Sequence, residues 1–275
     1  MLLARPRPPI EEAPMAHLTS KVASRIASGL KRFQPILDGA RARDINESDT
    51  AVLVTDLLQY VFGYDKYSEI TSEYSIRSTY CDLAVKVEGR LALLIEVKAI
   101  GLDLKDSHVK QAVDYAANQG CEWVVLTNGV LWKAYKIAFA KPIAHDLVLD
   151  LNFCALNPKK DHDLELLWLL SKEGLQKSGL ADYHAQREAL SRFTLAALLQ
   201  SESVLGLLRR ELRRVSPDAR ITTEEIQAVL AADVLKREVM EGEKAEAARK
   251  IVARAAARTL RTKASQAAPE QSAEA

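Results

Sequence analysis

Apolar positions along the chain change period several times, and each change marks an element. From Ile45 to Phe62 they recur at helical spacing, with Leu53, Leu57 and Val61 on one side. From Glu69 to Arg77 they alternate, Ile70, Ser72, Tyr74 and Ile76 against Glu69, Thr71, Glu73, Ser75 and Arg77, which predicts a strand with one wet face. Two further strand-like runs follow, Tyr80–Val87 and Leu91–Lys98. Lys105–Gln119 returns to helical spacing, with Val109, Ala112, Val113 and Ala116 on its packed side, and Gly120 ends it. Trp123–Thr127 and Val130–Tyr135 then flank Asn128-Gly129, a strong hairpin signal. The order helix, three strands, helix, two strands predicts an α/β domain.

Outside that domain the periodicity is helical. A stretch over Leu18–Leu37 precedes it. After the linker-like Asn157-Pro158-Lys159-Lys160 come Leu164, Leu167, Trp168 and Leu170–Leu175, then Tyr183–Gln200, Val204–Val215 and Thr223–Val234. Thr222 with Glu225 three residues later predicts an N-cap for the last of these. Residues 1–44 thus form an N-terminal helical extension, 45–155 the α/β domain, 161–240 a helical C-terminal region, and 241–275 a basic helical tail that passes into disorder. The helical region needs a surface for its apolar faces, either the α/β domain or a second copy of the chain.

Length and composition set limits on the class. The chain has 275 residues, 48% hydrophobic and 27% charged, enough to bury a full core and to hold two folding units. No run of about 18 uncharged apolar residues exists, and the start, with Arg5, Pro6, Arg7, Pro8 and Pro9, lacks an apolar signal segment. A soluble cytoplasmic protein is therefore expected, with no membrane partner. Cys81, Cys121 and Cys154 are odd in number and widely spaced, which argues against a disulfide framework and a structural zinc site.

The two central strands carry the chemistry. Asp82 lies on the first, Glu96 and Lys98 on the second, where strand alternation puts Glu96 and Lys98 on one face. If the apolar faces Leu83, Val85, Val87 and Leu91, Leu93, Ile95, Val97 enter one core, the turn should be the three residues Glu88, Gly89 and Arg90, with Asp82 directly opposite Glu96. A two-residue Glu88-Gly89 turn would set Asp82 opposite Ile95 unless a bulge restored the pairing. Directly opposed residues have Cβ atoms about 5 Å apart, so two carboxylates there need a shared cation, Mg²⁺ with Mn²⁺ as substitute.

In this order, an acid on one strand and Glu96-Val97-Lys98 on the next, the chain resembles the PD-(D/E)xK nuclease superfamily. Gln111-x-x-x-Tyr115 resembles the accessory motif of RecB-like nucleases and of the nuclease domain in the R subunit of type I restriction enzymes. The phrase Trp123-Val124-Val125-Leu126-Thr127-Asn128-Gly129 through Trp132 and Tyr135 resembles the end of that same domain. The resemblance spans roughly residues 45–140. It implies a restriction-endonuclease-like core, a mixed β-sheet flanked by helices, followed here by an all-helical C-terminal region.

The resemblance also assigns roles. Asp82 and Glu96 would ligate the metal with the Val97 carbonyl, Lys98 would orient the attacking water, and Gln111 and Tyr115 would hold the DNA backbone. An acidic residue on the first helix supplements the metal in related nucleases, and Glu47 matches that place. Glu47 also fits a capping box opened by Asp44. Trp123 and Trp132 read as core or hairpin packing instead of base-stacking platforms.

The formal net charge of +1 leaves nucleic-acid binding to local clusters. Arg209, Arg210, Arg213 and Arg214 crowd one predicted helix, and Lys250, Arg254, Arg258 and Arg261 would stripe another, to contact phosphate or simply face water. No Gly-rich phosphate loop or helicase motif is present. The expected activity is a Mg²⁺-dependent DNA endonuclease of restriction or defence type, acting alone or with a homodimeric or restriction-type partner subunit. A nucleic-acid-binding subunit that keeps the fold but is inactive alone is the alternative, and an unrelated scaffold with a surface Glu96–Lys98 pair is the third reading.

Overall fold

A computed structural model describes residues 18–76, 79–139 and 142–266. Readings made on Arg5–Pro9, on Arg77 and on the residues beyond Gln266 lie outside the described part. The chain divides into two compact units, Met1–Tyr183 and His184–Ala275.

The first unit is built on a mixed six-stranded sheet in the order β1-β2-β3-β4-β5-β6. Its strands are β1 (Ile70–Ile76), β2 (Thr79–Val87), β3 (Arg90–Val97), β4 (Trp123–Thr127), β5 (Leu131–Ala138) and β6 (Ala144–Asn152). All neighbours are antiparallel except β3 and β4, which run parallel. A parallel pair needs a crossover, and α3 (Asp106–Gln119) supplies it, closed by Gly120 in the left-handed region at φ 64°. β6 adds a strand to the two expected after α3, lying beside β5.

Helices cover both faces. On one, α1 (Ser20–Ala42), α2 (Glu47–Tyr60) and α4 (Asp161–Trp168) enclose a core that includes Ile26, Leu30, Phe33, Val54, Leu57, Ile95, Val125, Trp132, Leu167 and Trp168. On the other, α3 buries Val109, Ala112, Val113 and Ala116 against Ala84, Leu94, Val124 and Leu126. Trp132 and Trp123 are packed inside the first cluster, and Trp132 donates its indole N–H to the Gly129 carbonyl at 2.8 Å. Neither is a stacking platform.

Two helices expected as continuous are broken by serine caps. The Leu170–Leu175 run starts afresh as α5 (Lys172–Gln176), where Ser171 Oγ accepts from the Gly174 amide. The Tyr183–Gln200 run divides into α6 (Gly179–Ala189) and α7 (Arg192–Leu199) at Ser191, whose Oγ accepts from the Thr194 amide. In the second unit α7 is followed by α8 (Glu202–Val215), α9 (Thr223–Val229, continuing as a π-helical turn to Val234), α10 (Arg237–Met240) and α11 (Glu243–Gln266). Thr222 caps α9 through the reciprocal bonds with Glu225 that its sequence predicts.

The β2–β3 hairpin corrects the three-residue turn. Val87 pairs with Arg90, so the turn is Glu88-Gly89 alone, with φ of 53° and 77°, both positive as a type I′ turn requires. The ladder then passes from Lys86 opposite Leu91 to Val85 opposite Leu93, leaving Ala92 as an extra, bulged residue. The bulge restores the register as far as Leu83, which faces Ile95.

Candidate active site

Asp82, Glu96 and Lys98 converge where the first half of β2 lies beside the end of β3. Strand alternation should send Cys81 and Leu83 to one face, yet Cys81 joins the cluster beneath α3 and Leu83 the cluster beneath α1 and α2. The pleat therefore slips at Asp82, which lines the cleft against α2. One of its oxygens, Oδ2, accepts from the Val97 amide at 2.7 Å. Cys81 stays inert, because burial pushes its thiol up to about 12.

Glu96 is 3% exposed. Its Oε1 accepts from Lys98 Nζ at 2.7 Å, while Oε2 is buried with no hydrogen-bond partner. Glu47, in the first turn of α2, approaches Lys98 Nζ at 3.6 Å. Asp44 does not cap this helix: it sits at φ 49°, and Asn46 is the N-cap, its Oδ1 accepting from the Asp49 amide at 2.9 Å. The capping-box explanation of Glu47 therefore falls, and its carboxylate is left to the Lys98 cluster.

Three carboxylates thus stand against one ammonium, and the protonation equilibria reflect it. Burial pushes the Asp82 carboxyl up, against the opposing Val97 amide and Lys98, with the Glu47 charge adding to the rise. Burial likewise raises Glu96, opposed by the Lys98 hydrogen bond and reinforced by Asp82 and Glu47. For Lys98 burial alone would lower the pKa, but the Glu96 bond and the charges of Glu96, Glu47 and Asp82 outweigh it and the pKa is raised.

An uncompensated buried carboxylate oxygen is costly, and a cation is what such an oxygen fits. Among the described residues no group of three or more His, Cys, Asp or Glu side chains forms a ready-made cage. Two carboxylates completed by backbone oxygen, phosphate and water suit a cation that keeps much of its own hydration, as Mg²⁺ does.

Gln111 lies on α3, its side chain outside the described part. Tyr115, one turn later, is buried in the apolar cluster between α3 and the sheet. His108 of the same expected stripe is used locally, its Nδ1 accepting from the Lys105 amide at 3.2 Å.

Two residues that place this site were not singled out for that role. Thr50 is fully buried; its Oγ1 donates to the Asn46 carbonyl at 2.7 Å and accepts from the Ile100 amide at 3.1 Å. Asn128, more than a hairpin residue, accepts from the Val130 and Leu131 amides and donates to the Ile100 and Leu102 carbonyls. Together they tie the first turn of α2, the segment after Lys98 and the β4–β5 loop into one unit. The available signal was Thr50 itself, a hydroxyl on the packed side of α2.

Most of this arrangement, though not Glu47 or Thr50, lies within a stretch that resembles a known family. Residues 53–147 match the family model of the type I restriction enzyme R protein N terminus. The matched stretch begins inside α2 and ends inside β6, so it contains Asp82, Glu96, Lys98, Gln111 and Tyr115 and excludes Glu47. At the level of the family this supports a restriction-related nuclease. No curated protein and no solved structure matches the chain. Among the described residues no helix is long and apolar enough to cross a membrane.

Proposed function

We propose that the chain is a metal-dependent, cytoplasmic endonuclease that hydrolyses DNA phosphodiester bonds in restriction or defence. The observation that carries the reading is Glu96 Oε2, buried beside Asp82 and Lys98 with no hydrogen-bond partner. Asp82 and Glu96 would hold Mg²⁺, or Mn²⁺ in its place, with the Val97 carbonyl as a backbone ligand and Glu47 as a supplement. When bound, the metal supplies Lewis-acid polarisation of the phosphoryl oxygen and a lowered pKa for the attacking water. Lys98, kept protonated by its carboxylate neighbours, orients that water and offsets the charge that develops on the phosphate. The resemblance would give Gln111 the substrate backbone, whereas Tyr115, buried in the cluster beneath α3, can only support that helix. Base identity enters none of these contacts, so sequence or modification specificity comes from other surfaces.

A second reading is favoured by the helices after His184. Leu190, Leu195, Leu198, Leu207, Leu212 and Val215 are exposed there, as befits a subunit that works with a second copy or a restriction-type partner and is inactive alone. Incubation of purified protein with plasmid, linear and single-stranded DNA in Mg²⁺, Mn²⁺ or EDTA tests both. Metal-dependent cutting that Lys98→Ala abolishes is expected; no cutting of any methylated or unmethylated DNA would overturn the stand-alone enzyme and favour the partner-dependent one.

A further inference from the structure

Glu47 and Asp82 line a cleft of about 370 Å³ together with Ser48, Thr55, Lys66 and Ser72. A phosphate chain entering beside Glu47 and Asp82 meets like charge, so a cation must accompany it along the cleft. Lys66 is the basic side chain on that wall.

The turn that carries it is pinned. Asp65 Oδ1 accepts from the Tyr67 amide at 3.0 Å, the Ser68 amide at 2.8 Å and the Ser68 hydroxyl at 2.7 Å. The Asp65 amide donates to Glu69 Oε2 at 2.9 Å, and Glu69 is held in turn by Lys172 at 2.6 Å. From this fixed turn Tyr67 projects with 91% of its surface exposed. Lys66 Nζ meets Asp56 of α2 at 3.3 Å, and both side chains are about one-third exposed, a weak pair that a phosphate can displace.

We propose that the turn Asp65–Glu69 is a contact for a nucleic-acid strand, with Lys66 taking a backbone phosphate and Tyr67 stacking on a base. A cation beside an exposed aromatic on a rigid support is the combination that binds a strand without reading its sequence. That the phosphate is a neighbour of the scissile one rests on the nuclease reading; the contact itself does not.

The test measures anisotropy of labelled single-stranded DNA, single-stranded RNA and duplex DNA with the full chain in EDTA, where cleavage is silent, and cleavage of the same DNA in Mg²⁺. Lys66→Ala should weaken binding about tenfold and reduce the salt slope by about one, with Lys66→Arg retaining both. Tyr67→Ala should weaken binding about tenfold and Tyr67→Phe should not. Lys31→Ala, on the exposed side of α1, serves as control. In cleavage the Lys66 and Tyr67 effects should fall on KM, with kcat retained. If Lys66 serves only Asp56, then Lys66→Ala and Asp56→Ala lower the melting temperature alike and neither weakens binding, which overturns the proposal. Wild-type protein that binds no strand overturns it too. Binding that the two variants weaken, in a wild-type protein that does not cut, keeps the contact and removes the stand-alone nuclease reading. The three oligonucleotides distinguish DNA from RNA as the source of the strand.

Discussion

The two units place their apolar residues differently. Before Tyr183 a sheet is covered on both faces, and the cores under α1, α2 and α3 contain whole runs of buried Leu, Ile, Val and Trp. After His184, among the described residues, only Ala196, Leu205, Ile226, Val239, Ala245 and Ala248 are buried apolar positions. The second unit is thus a set of helices from the four-residue α10 to the 24-residue α11, two of them opened by local caps at Ser191 and Thr222. The contrast explains where chemistry can reside. Only a dense, low-dielectric surround can hold Glu96 almost out of water and fix Thr50 and Asn128 with fully bonded hydroxyl and amide groups.

The contrast can be broken or sharpened by substitution. The largest effect is expected at the site: Glu96→Ala or Lys98→Ala should cut the cleavage rate at least about 10²–10³-fold while far-UV dichroism shows the fold retained. Retained cleavage by both variants would sink the nuclease reading. Next, Trp132→Ala, which empties a space against Phe62 at 5.0 Å centroid separation, should cost about 3–5 kcal/mol in denaturant unfolding. Leu205→Ala in the second unit should cost distinctly less, and equal costs would erase the distinction between the cores.

Asn128→Ala should cost about 1–3 kcal/mol, because two amides and two carbonyls lose their partner. It should also lower kcat more than Thr222→Ala does, since Asn128 supports the segment after Lys98 and Thr222 does not. Thr222→Ala should cost about 1 kcal/mol, confined to α9 and visible by hydrogen exchange.

The smallest effect is on pH. Asp82 and Glu96 have folded pKa values raised above their unfolded ones, chiefly by burial, so their stabilising contribution is present at low pH and is lost as pH rises through the folded pKa. In EDTA the wild-type melting temperature should therefore fall more steeply across that rise than that of Asp82→Asn. Added Mn²⁺ should reverse the trend, because a cation binds the ionised pair; identical profiles with and without metal would remove the cation from the site.

Much of this was legible in the chain. Alternation and helical spacing place β2, β3, β4 and α3 within a residue or two, and the charges of Asp82, Glu96 and Lys98 lie close enough to act on one another. The choice of the two-residue turn with its bulge is not legible. Leu91-Ala92-Leu93-Leu94 is apolar throughout, so nothing in its pattern marks Ala92 as bulged, and Glu88 at φ 53° occupies a place where Asn or Asp is the usual signal. β6 escaped because Val148 and Leu149 are consecutive yet both buried, next to the register shift at Ala134 and Tyr135, which breaks the period-two pattern. The breaks before α5 and α7 were hidden for a related reason: Ser171 and Ser191 interrupt helices without interrupting the apolar period.

By itself the sequence determined the kind of each long element and the identity of the charged residues on β2 and β3, because period and residue type are local properties. Only the tertiary structure decided that Glu47 turns to Lys98, that Thr50 and Asn128 share the Ile100 peptide neighbourhood, and that one oxygen of Glu96 is buried without a partner. Those facts depend on register, on helix placement over the sheet and on exclusion of water, and these arise only when distant segments pack together.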